Sequence, residues 1–176
     1  MSAFDMLAEL VRVNRVFQRN KVSLEKKLLG ALLCFAGLSY RRSAELVGGL
    51  SYTAVRNAFI ALRKALPKPE RRHRRCIAVD ETKSKLGGEQ VYIWAARDVD
   101  TKEILAFRVS FTRSSLDAEL LLKQVLECCE NKPIFIVDKG PWYKEAFKSL
   151  GLEYEHQTFG MRNRIERWFR NPEGQA

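Results

Sequence analysis

Two short apolar runs in this chain each end on a carboxylate: "CIAVD" on Asp80 and, 58 positions later, "IFIVD" on Asp138. A β-branched run of this length bounded by turn signals predicts an interior strand, and an acid at its end sits where a sheet opens to solvent. Glu166 follows in "NRIERWFR", with Asn163 one helical turn before it on the same face and Arg167 beside it. If the two strands are neighbours and that helix reaches the same point, three carboxylates converge and repel one another unless a cation holds them. Hard oxygen ligands in small number, with open positions left over, suit Mg²⁺ or Mn²⁺. Two such ions about 3.5–4 Å apart activate a water or a 3′-hydroxyl and stabilise the leaving oxygen of a phosphodiester. The same residues also have a plainer reading. Asp is a common turn former at strand ends, and Glu166 between Arg164 and Arg167 can be an exposed, charge-paired helix residue. Spacing alone leaves both readings open.

The elements that must position these carboxylates follow from periodicity. "CIAVDET", "QVYIWAARDVD" and "EILAFRVS" predict three strands, the first two separated by "KLGGEQ" and the last two by a tight turn at "DVDTKE". "SLDAELLLKQVLECCE" predicts a helix capped by Ser115 with Leu116, Leu120 and Val125 inward. "PIFIVD" is a fourth strand, "GPWYKEAFKSLG" a short helix closed by Gly151, "LEYEHQTF" a fifth strand and "RNRIERWFR" a last helix. A crossover helix between strands implies parallel pairing after an antiparallel opening meander. The expected class is therefore α/β, a mixed sheet of three antiparallel strands and then parallel strands, flanked by helices, with Asp80 and Asp138 ending neighbouring strands.

The amino-terminal part reads differently. Residues 1–79 hold 16 Lys/Arg against 5 Asp/Glu, whereas residues 80–176 hold 15 against 16, so the net charge of +10 resides in the first half. A basic half indicates a polyanionic partner bound through counterion release. After an amphipathic leader, helices are predicted from Ser23, from Ser39 and from Ser51, separated by Gly/Ser turns at Gly37 and Gly48-Gly49. Three helices so joined, the second very short, make a helix-turn-helix unit. Its last helix would present Tyr52, Thr53, Arg56 and Asn57 to phosphates or base edges, with Arg41 and Arg42 near the backbone. A ligand-free three-helix bundle has the same periodicity. "PKPERRHRRC" then stops the helix with two prolines and places Arg71, Arg72, Arg74 and Arg75 in a basic linker that is expected to track phosphates. The domain organisation expected is a helical region over 1–66, a linker over 67–75 and an α/β domain over 76–176.

Composition excludes other classes. No run of eighteen apolar residues occurs and the leader lacks an apolar signal core, which argues against a membrane span or secretion. Cys34, Cys76, Cys128 and Cys129 form no CxxC pair, so a zinc site or disulfide framework is not expected and a cytoplasmic location fits best.

Taken in order, "VDET" at Asp80, the "VYIWAARDVDTKEILAF" hairpin, "IFIVDKGPWY" at Asp138 and "NRIERWFR" at Glu166 resemble the DDE-type transposases of bacterial and archaeal insertion sequences, specifically the insertion-sequence-six-like group. The resemblance covers most of the chain. It implies a ribonuclease-H-like catalytic core in which Asp80, Asp138 and Glu166 hold a two-metal Mg²⁺ or Mn²⁺ site for DNA cleavage and strand transfer. Lys139, Trp142, Asn163 and Arg167 would play supporting or DNA-contacting parts. It further implies double-stranded DNA, both element ends and target, as partner, a homodimer that brings two ends together, a nucleoid-associated prokaryotic setting, and no small-molecule substrate. The chain stops ten residues beyond Glu166, where that group continues through a longer basic helix, so a C-terminally shortened and inactive domain is a further expectation. The other readings are a non-catalytic DNA-binding repressor of a related element and a ribonuclease-H-like nuclease.

Overall fold

The computed structural model describes residues 2–18, 21–66 and 68–156. Four helices come first: α1 (Ala3–Val13), α2 (Leu24–Phe35), α3 (Tyr40–Val47) and α4 (Tyr52–Ala65). Each begins on a serine, Ser2, Ser23, Ser39 or Ser51, whose hydroxyl accepts the backbone N–H three residues on, satisfying a donor that the first turn leaves orphaned. The caps expected at Ser23, Ser39 and Ser51 are thus all present.

Then follow β1 (Cys76–Leu86), β2 (Glu89–Asp98), β3 (Ile104–Ser110), α5 (Ser115–Glu127), β4 (Ile134–Val137), α6 (Pro141–Leu150) and β5 (Tyr154–His156). The sheet order is β3-β2-β1-β4-β5. β1, β2 and β3 pair antiparallel, and β1 with β4 and β4 with β5 pair parallel. A three-stranded meander extended by helix-crossed parallel strands is the ribonuclease-H-like arrangement, and the sequence expectation holds through β5. The final helix, with Asn163, Glu166 and Arg167, lies outside the described residues.

Two details depart from expectation. The α5 cap is Ser114, not Ser115, because the capping box closes on Asp117 three residues later. That rotates the inward face onto Ala118, Leu121, Leu122 and Val125, and leaves Leu116 62% exposed. Second, β1 continues six residues past Asp80, because the Gly87-Gly88 hairpin lets Glu81–Leu86 pair with Trp94–Glu89. Asp80 is therefore within a strand and only Asp138 follows the end of one.

The sheet buries both faces. On one, Ile77, Val79, Trp94 and Val137 pack with α5 and α6. On the other, Val91, Ile93, Ala95 and Val109 share a core with α1, α2 and α4. The helical region is thereby joined to the sheet by continuous apolar packing, supplemented by an Arg42–Glu89 ion pair at 3.1 Å from α3 to β2. Gly87 must be glycine here, since a Cβ would stand 2.7 Å from Leu46 of α3 and φ is +55°. No helix among the described residues is long and apolar enough to cross a membrane.

Candidate active site

β1 and β4 pair in register at Cys76–Ile134, Ile77–Phe135 and Ala78–Ile136. Carried two residues further, that register sets Asp80 against Asp138. The parallel pairing has by then stopped, so β1 presents an open edge at Asp80, within reach of the Asp138 charge. Side chains alternate along a strand. With Ile77 and Val79 directed at α5 and α6, Asp80 faces the opposite side, toward α1, whereas Asp138, just past the end of β4, lies close enough to Glu81 and Tyr143 for its charge to act on both. On the α1 side the Phe4 amide donates to Thr82 Oγ1 at 3.1 Å.

Burial raises the Asp80 carboxyl above its ordinary value, and the Asp138 charge adds to this against the lowering effect of the Glu81 and Ala3 amides. Asp138 is held locally: Gly140 N–H donates to its Oδ1 at 3.1 Å, and its carbonyl lies 3.2 Å from His156 Nδ1 on β5. Pro141 opens α6 directly afterwards, where its missing N–H costs nothing.

Beneath this edge, on the α5/α6 face, lies a cluster that sequence reasoning missed. The Glu81 side chain is 2% exposed and ion-pairs with Arg113. The Arg113 guanidinium lies 3.6 Å over the Trp142 ring and 5.8 Å over that of Tyr92. Burial pushes the Glu81 carboxyl up to about 7 in spite of Arg113, with Asp138 and Asp80 contributing. Burial first, and then those same carboxylates, raise the Tyr143 hydroxyl well above its usual range. Glu81 Oε2, Trp142 Nε1 and Tyr143 OH are buried without hydrogen-bond partners in this structure. The signal for Glu81 was the second acid of "VDET"; for Arg113, 32 residues away in a polar loop, there was none.

The other expected residues separate. Lys139 is exposed beside Asp138, and Trp142 is half-buried under Arg113. Tyr52, Thr53, Arg56 and Asn57 are all exposed at the start of α4, and Arg41 stacks over Tyr52 at 5.4 Å. Arg42 is engaged by Glu45 and Glu89. Within the linker, Arg71 and Arg72 are exposed, and Arg74 departs from the picture of an arm that tracks phosphates. Arg74 is 1% exposed and hydrogen-bonds Asp98 at 2.8 Å, Glu103 at 3.3 Å and the carbonyls of Glu70 and Cys128, so no phosphate reaches it. Arg71 donates to the Cys129 carbonyl, Arg72 to Glu103 and Arg75 to Asp100, while Asn131 brackets the Arg74 backbone on both sides. A basic run of this kind looks uniform in sequence, but its carboxylate partners come from the β2–β3 turn.

Two carboxylates on one edge form a hard-donor set that fits Mg²⁺ or Mn²⁺, with positions left for water or substrate. Among the described residues no three His, Cys, Asp or Glu side chains are grouped closely enough to hold a metal ion; Glu166 lies outside them.

Residues 74–171 match the DDE domain of IS240-type transposases, a stretch that includes Asp80, Asp138 and Glu166. The chain belongs to this family of DDE-type transposases, whose shared chemistry is polynucleotidyl transfer on a ribonuclease-H-like core. It is 40% identical over 168 residues to the uncharacterized protein MJ0017 of Methanocaldococcus jannaschii, covering 94% of this chain and 78% of that one. It is 50% identical over 38 residues to the uncharacterized protein aq_aa24 of Aquifex aeolicus, covering 22% and 31% respectively. Among solved structures, the HTLV-2 integrase catalytic core domain in complex with magnesium superposes with a TM-score of 0.41 at 15% identity, over 56% of this chain and 68% of that one.

Proposed function

We propose that this protein is a divalent-metal-dependent transposase that cleaves DNA at the ends of an insertion sequence and joins the freed 3′-hydroxyl to target DNA, with Asp80, Asp138 and Glu166 as the metal ligands. The observation that carries this reading is the β1–β4 register, which, carried two residues beyond its last pair at Ala78–Ile136, brings Asp80 alongside Asp138. A bound pair of Mg²⁺ or Mn²⁺ ions would supply activation of the attacking oxygen and stabilisation of the leaving one. The chain's own contribution is rigidity and charge. Two strands aim the aspartates, and the Gly140 amide fixes the Asp138 carboxylate. Burial raises the Asp80 carboxyl, and the nearby Asp138 charge adds to it.

DNA is held, in this reading, by the helix-turn-helix formed by α3 and α4 against α2. Arg56, Asn57 and Thr53 are exposed for backbone or base contact, and the Arg41–Tyr52 stack pre-orients a guanidinium. Two copies acting together would bring two element ends to one target.

The test is cleavage and joining of a labelled duplex carrying the flanking element end, with and without Mg²⁺ or Mn²⁺, for the full chain and its Asp138→Asn variant. Metal-dependent product lost in the variant supports the reading. Tight duplex binding with no product under any metal would instead assign the chain to DNA-binding repression.

A further inference from the structure

Backbone hydrogen bonding between β1 and β4 ends at Ala78–Ile136, two residues short of the aspartates. Nothing in the sheet ladder therefore fixes the Asp80–Asp138 separation, and repulsion between two carboxylates acts to widen it. A tie is present on the opposite face. Glu81, the residue after Asp80, is buried and paired to Arg113. The Arg113 guanidinium lies over the Trp142 ring at 3.6 Å, and Trp142 belongs to the first turn after the Asp138 loop. The indole is itself closely seated: a Cβ on Gly140 would fall 2.3 Å from it, and Trp94 meets it edge-on with centroids 6.5 Å apart.

We propose that Arg113 is a positioning residue: by pairing with Glu81 and stacking on Trp142 it ties the strand that carries Asp80 to the loop that carries Asp138, and so sets the separation at which the two carboxylates share a divalent cation. This rests on the metal-dependent reading of the site given above. The chemistry demands arginine, because a planar guanidinium pairs through its edge and stacks through its face at once, whereas an ammonium offers a point charge that cannot do both. A second link runs through Ser114, the next residue, which caps α5 with Asp117 and so anchors the loop bearing Arg113 to a rigid helix.

The test measures Mn²⁺ binding directly, by calorimetric titration of the full chain, beside its thermal midpoint and its kcat and KM on the labelled duplex. Arg113→Lys keeps the charge and Trp142→Leu removes the stacking surface without touching charge, so either can stand if the other fails to fold. Val125→Ala, buried in the same core near the far end of α5 from Ser114, serves as a control for destabilisation alone. We expect both tie variants to bind Mn²⁺ about 10- to 100-fold more weakly and to lose kcat with KM for DNA unchanged, while the control loses stability only. Wild-type Mn²⁺ affinity in Arg113→Lys and Trp142→Leu, in a chain whose binding vanishes with Asp138→Asn, overturns the tie alone. Absence of Asp138-dependent Mn²⁺ binding in the wild type overturns the metal site and the tie with it.

Discussion

Arg74 and Asp80 show how differently two charged side chains of one sequence are used. Arg74 is a buried structural cation. Burial alone would push the carboxyl of its partner Asp98 up, but hydrogen bonds from Arg74 and from the Thr101 and Asp100 amides outweigh it and hold the carboxyl below its ordinary value. A carboxyl whose folded-state pKa is depressed adds stability that is fully present above its unfolded value of 3.8 and is lost as pH falls through the folded one. We expect the wild type to lose stability on acidification below about pH 4 more steeply than Asp98→Asn, as read by urea unfolding across that range; parallel curves would remove Asp98 from the acid limb. Arg74→Met leaves the Asp98 charge buried without its counter-ion and should cost about 3–5 kcal/mol in the same assay at neutral pH. The acid pair Asp80 and Asp138 was legible in the sequence because both close similar apolar runs. The role of Arg74 was not, since its partners Asp98 and Glu103 lie 24 and 29 residues on and only the fold brings them together.

Helix caps and strand lengths determine where the site residues come to rest. Three serine caps in the helical region could be read from sequence, because Ser before an apolar period is a local signal. The α5 cap was displaced by one residue, since two serines stand side by side and the capping box, not the apolar pattern, selects Ser114. Ser114→Ala removes that cap and should lower stability by about 0.5–2 kcal/mol in chemical denaturation, whereas Ser115→Ala should be within about 0.5 kcal/mol of wild type. The unequal reach of β1 and β4 was illegible for a different reason. The extension of β1 past Asp80 depends on pairing with β2 across the Gly87-Gly88 turn, which is tertiary in origin. In the loop that follows β4, Gly140 has an ordinary φ of −63°, so the constraint there is space. Gly140→Ala should displace Trp142, lower the thermal midpoint and weaken metal-dependent cleavage together. An unchanged midpoint would show that the indole can yield.

The two halves of the molecule differ in charge yet share one core, in which Leu7, Leu28 and Leu62 of the helices pack with Ile93 and Ala95 of the sheet. The basic excess lies before residue 80 in the sequence, and there Arg72, Arg74 and Arg75 are paired with Glu103, Asp98 and Asp100, the Arg74–Asp98 pair being buried. The exposed set on α4 is then the stronger candidate for DNA contact. Arg56→Ala should weaken duplex binding and reduce the slope of log K against log salt by about one; an unchanged slope would place the phosphate contacts elsewhere. Compositional asymmetry marked the basic half, but it could not reveal that Arg74 of the linker turns inward. The measurement that bears most directly on the whole reading is Mg²⁺- or Mn²⁺-dependent cleavage and joining of the element-end duplex by the full chain, set against Asp138→Asn. Product that requires metal and disappears in the variant, with duplex binding retained, is the expected result. Product that persists in Asp138→Asn, or that forms equally in excess chelator, would contradict a metal-dependent carboxylate site on this sheet edge.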